Sequence, residues 1–434
     1  MKFIKLLTLL SLSYLGNAQE LAQSQSLKAD PVDVLAYQVR VEPDLSRRYI
    51  EGVVSIRFKS SASTGKVAFD SGRLIVTKVE GTQVKGFKQT GKQTIISLTP
   101  NNTQTYEIRL FYYGAPRRGF VFLNKAQKMY SVYFTSEWMV CNNAPDDRAP
   151  IKLEVLVPKG VISVASGVLK KTVNTSNKVL FSWKQTYATP AYTYGFVIGS
   201  FDTTLDSHND KLLKYYSDGY TKKEVKKIFQ YTGDMMAFFE DKSGIPFPQD
   251  TYSQVLVGRH YQEMSGYAIL KNSYGRLVLK DSTETNLISH ELAHQWWGNM
   301  ITCKNWKHFW LNEGFATFMS AAYNEHRFGK KKYEANIQAY FKVYDQIKSK
   351  GGDKPLVFKR WVNPSRDDRN LVYFKGAYVL HLLRKELGDA AFWKGIKSFS
   401  QTYYGKSVTT KDFQTAMEKS SNQSLKVFFS KWVY

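Results

Sequence analysis

The sequence predicts an α+β fold, with an antiparallel β-rich N-terminal domain followed by a mainly helical one. Three observations predict it. From about residue 31 to residue 202 apolar side chains recur with period two, the signature of strands buried on one face. From about residue 203 the spacing lengthens to three and four, the signature of amphipathic helices. A chain of 434 residues with 43% apolar content is long enough for two or three domains, each with its own core, and too apolar for a disordered tail protein.

Met1-Lys2-Phe3-Ile4-Lys5 is a short basic start, followed by an apolar run from Leu6 to Leu15 and the small residues Gly16-Asn17-Ala18. That is the build of a secretory signal peptide at residues 1–18, and the run is too short to span a bilayer. A polar leader occupies 19–30. The expectation is an exported chain, periplasmic or secreted, with no transmembrane segment. Removing residues 1–18 takes away two lysines and no acid, so the formal charge falls from +24 to +22. Such a surface attracts polyanions. Export turns that attraction away from nucleic acid, which is not expected as a partner, and towards anionic envelope surfaces. Two cysteines, Cys141 and Cys303, cannot make a disulfide scaffold or a four-thiolate metal site. Whether they pair stays open.

In the predicted β domain (31–202), Tyr37, Val39 and Val41 alternate with Gln38 and Arg40, Val54, Ile56 and Phe58 with Ser55 and Arg57, and Ile108 and Leu110 with Glu107 and Arg109. Turn signals such as Asp70-Ser71-Gly72 and Pro158-Lys159-Gly160 separate the runs. In the predicted helical domain (203–434), residues 222–241 read as one helix that Gly244-Ile245-Pro246 stops. Helical periods return at 287–297, 311–323, 333–347 and 377–387.

The chemistry is concentrated in His290-Glu291-Leu292-Ala293-His294. On a helix, residues i and i+4 lie one above the other, so the two imidazoles converge on one ion. Asp281 and Glu284 read as a capping pair ahead of that helix, with Gly298 closing it. Neutral imidazole suits zinc, and Glu291 sits where a carboxylate flanks the ion without ligating it, as a general base should. With seven histidines in the chain, the chance expectation for this pentapeptide is on the order of 0.01. Glu313 follows His294 after eighteen residues, in Trp310-Leu311-Asn312-Glu313-Gly314-Phe315-Ala316. It completes a His₂Glu set that leaves one position of a single Zn²⁺ open. His208, His260, His308, His326 and His381 receive no metal role.

These motifs resemble those of the aminopeptidase N-like zinc metallopeptidases: the two-histidine helix, the eighteen-residue gap, the N-E-G-F-A context and His294-Gln295-Trp296-Trp297-Gly298-Asn299. Val372-Tyr373-Phe374-Lys375-Gly376-Ala377 is similar to the family's V-Y-x-K-G-A, whose tyrosine steadies the oxyanion, and that role carries to Tyr373. The family's G-x-M-E-N segment corresponds to His260-Tyr261-Gln262-Glu263-Met264, where Glu263 alone survives. By resemblance Glu263 holds the substrate's free amino group, and Glu137, in Phe134-Thr135-Ser136-Glu137, assists from the β domain. The resemblance implies a saddle-like β domain, a thermolysin-like zinc peptidase domain, and a short member without the family's C-terminal domains. Its cleft is then expected to be more open than in longer relatives. It implies peptide substrates and hydrolysis of the N-terminal peptide bond. Two alternatives stand beside this: the same zinc site acting as an endopeptidase or epoxide hydrolase, and a non-catalytic basic envelope-binding protein.

Overall fold

The computed structural model describes residues 29–123, 127–361 and 363–434. The expected signal peptide (1–18) and most of the polar leader (19–30) lie outside the described residues. Asp30, counted with the leader, is tied into the β-rich unit. Its backbone N donates to the Lys66 carbonyl, and its carboxylate accepts from Ser63 Oγ and Thr64 N. The described chain forms two compact units, one running to Asp202 and including Met264–Tyr267, the other comprising 203–263 and 268–434.

The first unit is built on a seven-stranded sheet in the order Val168–Asn174, Lys178–Pro190, Arg148–Pro158, Asp33–Asp44, Tyr49–Lys59, Thr105–Gly114 and Ile75–Glu80. The alternation seen in the sequence is the alternation of burial. Tyr37, Val39, Val41, Val54, Ile56, Phe58, Ile108 and Leu110 are all buried, and Val39 faces Val54, which faces Leu110. One pair departs from the antiparallel expectation: Asp33–Asp44 runs parallel to Arg148–Pro158. A period of two is common to both directions, so the pattern alone carries no sign of it. A four-stranded and a three-stranded sheet complete this unit.

The second unit holds most of a five-stranded sheet in the order Asp202–His208, Lys211–Ser217, Thr251–Leu256, Tyr267–Leu270 and Gln262–Met264. Its principal helices are α1 (Asn286–Ala293), α2 (Trp310–Phe328), α3 (Lys330–Lys348), α4 (Gly376–Leu387) and α5 (Asp389–Tyr403). Helix α2 is buried along almost its whole length, from Trp310 to Asn324, and is the core around which the unit packs. The helix expected over 222–241 is two helices, Lys222–Ile228 and Thr232–Ser243. The break falls at aromatic anchors: Phe229 stacks on Tyr215 with centroids 4.5 Å apart, and Tyr231 sits edge-on to Phe328. Among the described residues no helix is long and apolar enough to cross a membrane. Cys141 and Cys303 are both buried and are not bridged to one another.

Candidate metal and catalytic centre

Helix α1 begins without the capping pair expected of it. Asp281 follows the preceding helix (Tyr274–Lys280) and accepts from the N–H and Oγ1 of Thr283, closing a local turn. Glu284 serves the helix start instead, accepting from Asn286 N at 3.2 Å. At the other end α1 stops at Ala293, before the expected limit. Gly298, at φ 142°, turns the chain back so tightly that a Cβ there would lie 2.6 Å from His294 Nδ1.

His290 and His294 project from α1 with their Nε2 atoms 3.0 Å apart. Glu313, in the first turn of α2, brings Oε2 to 3.4 Å from His290 Nε2 and 3.3 Å from His294 Nε2. All three side chains are buried. Zinc with ligand bonds near 2.0–2.1 Å sets its tetrahedral ligands about 3.3 Å apart, so this triangle has the size of one face of a zinc site.

The ring orientations agree. A carbonyl can only accept, so His294 Nδ1–H donates to the Trp297 carbonyl at 3.0 Å and leaves Nε2 as a lone-pair donor. Thr317, one turn beyond Glu313, donates its hydroxyl to the Glu313 carbonyl at 2.7 Å. Its oxygen is then free to accept from His290 Nδ1, 3.4 Å away, which fixes the second ring in the same tautomer.

Two further carboxylates face this triangle. Glu263 lies on the edge strand Gln262–Met264, and its carboxylate forms a second close cluster with those of Glu291 and His294's ring. Gln262 Nε2 donates to Glu263 Oε2 at 2.7 Å, and Asn299 Nδ2 to the Glu263 backbone carbonyl at 3.4 Å. Both oxygens of Glu291 are buried with no hydrogen-bond partner among the described residues. Burial, then the charge of Glu263, raises Glu291 well above the ordinary carboxylate range. Burial likewise lifts Glu263 to about 7. At Glu313 burial is outweighed by the imidazoles, His294 first, and the carboxyl is held at about 2. Burial lowers His290 to about 4, whereas at His294 it is overcome by Glu313 and then Glu263, which lift that ring to about 10, so an ion bound at Nε2 would displace a proton. Three buried carboxylates around two buried imidazoles are an excess of negative charge and of lone pairs, which a divalent cation neutralises. The donor set fits zinc.

Tyr373 completes the group. It sits in a single π-helical turn, Leu371–Lys375, immediately before α4, and its ring stacks on His290 with centroids 5.8 Å apart and planes at 16°. Such wide turns re-aim side chains and recur at functional sites. Of the residues expected from the sequence, His290, His294, Glu313, Glu291, Glu263 and Tyr373 therefore come together in one buried group. Glu137 belongs to the other unit, on the short helix Thr135–Glu137, where burial raises its carboxyl against the pull of Arg73.

The family profile described as "Peptidase family M1 domain" matches residues 228–432, the stretch that contains every member of this group. Among curated relatives, a probable aminopeptidase 1 of Sulfurisphaera tokodaii is 23% identical, over 93% of this chain and 53% of its own length. Aminopeptidase M1-C of Oryza sativa subsp. japonica is also 23% identical, over 87% of this chain and 44% of its own. The chain thus spans about half the length of the curated relatives it matches. Among solved structures, an M1 zinc metallopeptidase from Deinococcus radiodurans matches with a TM-score of 0.78 at 22% identity, covering 93% of each chain. That likeness is one of fold, a β-rich unit followed by a mainly helical one.

Thr317, Gln262 and Asn299, within the matched stretch, were not singled out from the sequence. Thr317 had a signal available: it stands four residues after Glu313 on the same helix, where its hydroxyl reaches back to the preceding turn. Asn299 sits inside the His294–Asn299 motif, while Gln262 carried no signal of its own.

Proposed function

We propose that this chain is a zinc-dependent aminopeptidase that hydrolyses the N-terminal bond of peptides. The observation that carries the reading is the placement of Glu263 beside the Glu291 and His294 side chains, so that a group suited to an α-ammonium adjoins the metal-binding triangle. His290, His294 and Glu313 would hold the ion, and bound zinc would supply Lewis-acid polarisation of the scissile carbonyl and of the attacking water. Glu263 pairs with the substrate's ammonium and fixes the register, so that only the first peptide bond reaches the centre. Glu291, unpartnered and raised in pKa, takes the proton of the attacking water as general base and delivers it to the leaving amine. Tyr373 donates its hydroxyl to the carbonyl oxygen as charge develops there, a role whose loss typically lowers the rate about 10²–10³-fold.

Supporting observations come from the relatives. The curated ones are described as aminopeptidases, and a mutant of the Deinococcus radiodurans enzyme has been solved bound to a Tyr-Ser-Ala substrate. The test is turnover of a panel of aminoacyl-arylamides by purified protein, with and without chelator. Chelator-sensitive, zinc-restored hydrolysis is expected. Hydrolysis indifferent to exhaustive metal removal contradicts the reading.

Export is part of the same proposal, on the strength of residues 1–18, and so is association of the basic surface with anionic envelope material. Cell fractionation at low and high salt tests both. The protein is expected outside the cytoplasm and released from the envelope by salt, and a cytoplasmic protein would contradict it.

A further inference from the structure

The turn that carries Tyr373 is gripped at both ends by one dipeptide, Asp353-Lys354. Lys375, the last residue of the π-helical turn, is buried, and its Nζ donates to Asp353 Oδ1 and to the Lys354 carbonyl, each at 2.7 Å. Tyr344 on α3 donates its hydroxyl to the other Asp353 oxygen at 2.9 Å, and its ring lies beneath the Lys375 ammonium at 5.4 Å. Lys354 reaches the opposite way, its Nζ donating to Asp368 Oδ1 at 2.5 Å. Asp368 belongs to the short helix Arg366–Asn370, which runs straight into the π-helical turn, and it closes a capping box with Ser365. Tyr373 lies between the two ties.

A π-helical turn is uncommon backbone and persists where its surroundings over-determine it. A buried ammonium has the same effect. Lys375 loses both hydrogen bonds if the turn relaxes, and although Asp353 is partly exposed, the buried ammonium itself has little water to replace them. The turn therefore has one conformation in which its charges are satisfied, and in that conformation the Tyr373 ring lies flat against His290.

We propose that Asp353-Lys354 is a clamp that positions Tyr373, so that Asp353, Lys354 and Lys375 act on the reaction through the phenol without touching substrate. The inference rests on the reading of Tyr373 as the oxyanion donor. Asp353→Asn, which keeps the shape and removes the charge, is expected to lower kcat about tenfold or more while KM stays within about twofold. Lys354→Met removes the second tie at a half-exposed position and is expected to act in the same direction, less strongly. In a Tyr373→Phe background Asp353→Asn is expected to lower kcat no further. An equal loss in both backgrounds assigns Asp353 a general structural role and overturns the clamp, as does the absence of any loss. A second readout is independent of turnover. In protein labelled with [¹³Cζ]tyrosine, with the Tyr373 resonance assigned by its disappearance in Tyr373→Phe, Asp353→Asn is expected to shift or broaden that resonance. An unmoved resonance overturns the clamp. Wild-type protein inactive on aminoacyl-arylamides contradicts the peptidase reading alone, and the resonance then decides the clamp.

Discussion

Gly314 and Gly376 meet backbone to backbone: a Cβ on Gly314 would lie 3.0 Å from the Gly376 Cα and 3.1 Å from the Val372 carbonyl oxygen. Gly314 follows Glu313, the proposed third ligand, and Gly376 follows the turn that carries Tyr373, so this crossing sets the spacing between that carboxylate and the phenol. Gly314→Ala is expected to push the two segments apart, destabilising the protein by about 1–3 kcal/mol and lowering kcat through Tyr373. Gly86→Ala, on an edge strand with nothing within 4 Å of the added methyl, is the control expected to leave both unchanged. Thermal unfolding and steady-state kinetics of the two variants check this.

Thr317 is expected to tune the metal site through His290. Thr317→Val keeps the shape but removes the oxygen that accepts from His290 Nδ1, which is expected to weaken zinc affinity by about 10–100-fold. Thr317→Ser is expected to retain most of it. Competition against a chromophoric chelator measures both.

Glu291→Gln is expected to lower kcat by about 10²–10⁴-fold while leaving one zinc per chain, since the role proposed for Glu291 is that of a base and not of a ligand. Kinetics and metal analysis on the same preparation check it. Near-normal turnover would contradict the assigned role.

Asp147 gives the β-rich unit a pH dependence. Burial first, then the neighbouring Asp33 and Asp146, raise its carboxyl to about 7, although it accepts from Val34 N at 2.9 Å. The folded state then holds this proton more tightly than the unfolded state does. Stability is therefore expected to fall as pH rises from about 4 to about 7, with a slope approaching ~1.4 kcal/mol per pH unit. Asp147→Asn is expected to flatten that slope. Denaturant unfolding between pH 4 and pH 8 provides the measurement.

Much of the site was legible in the sequence because its geometry is local. His290 and His294 share a helix face by spacing alone, and Glu291 stands next to the first of them. The strands were legible for the same reason, since Val39 and Val54 declare their buried face by alternation. What stayed hidden depends on long-range placement or on backbone detail. The parallel pairing of Asp33–Asp44 with Arg148–Pro158 leaves no trace in a period of two. The break at Phe229 falls where its ring stacks on Tyr215 of a neighbouring strand, a contact that a continuous helical pattern does not record. The π-helical turn at Tyr373 and its tie to Asp353 need coordinates, because nothing in Val372-Tyr373-Phe374-Lys375 distinguishes a wide turn from an ordinary one. Glu263 was reached through resemblance, and its meaning comes from the edge strand that carries it to Glu291.

The most direct test of the central claim compares cleavage of one peptide with a free N-terminus against its N-acetylated twin, on zinc-loaded wild-type protein and on Glu263→Gln. Wild type is expected to cleave the free peptide at its first bond and leave the acetylated one intact, and Glu263→Gln is expected to lose most of that preference. Equal cleavage of both peptides by the wild type would contradict the assignment of Glu263 to the substrate's amino group, and with it the aminopeptidase.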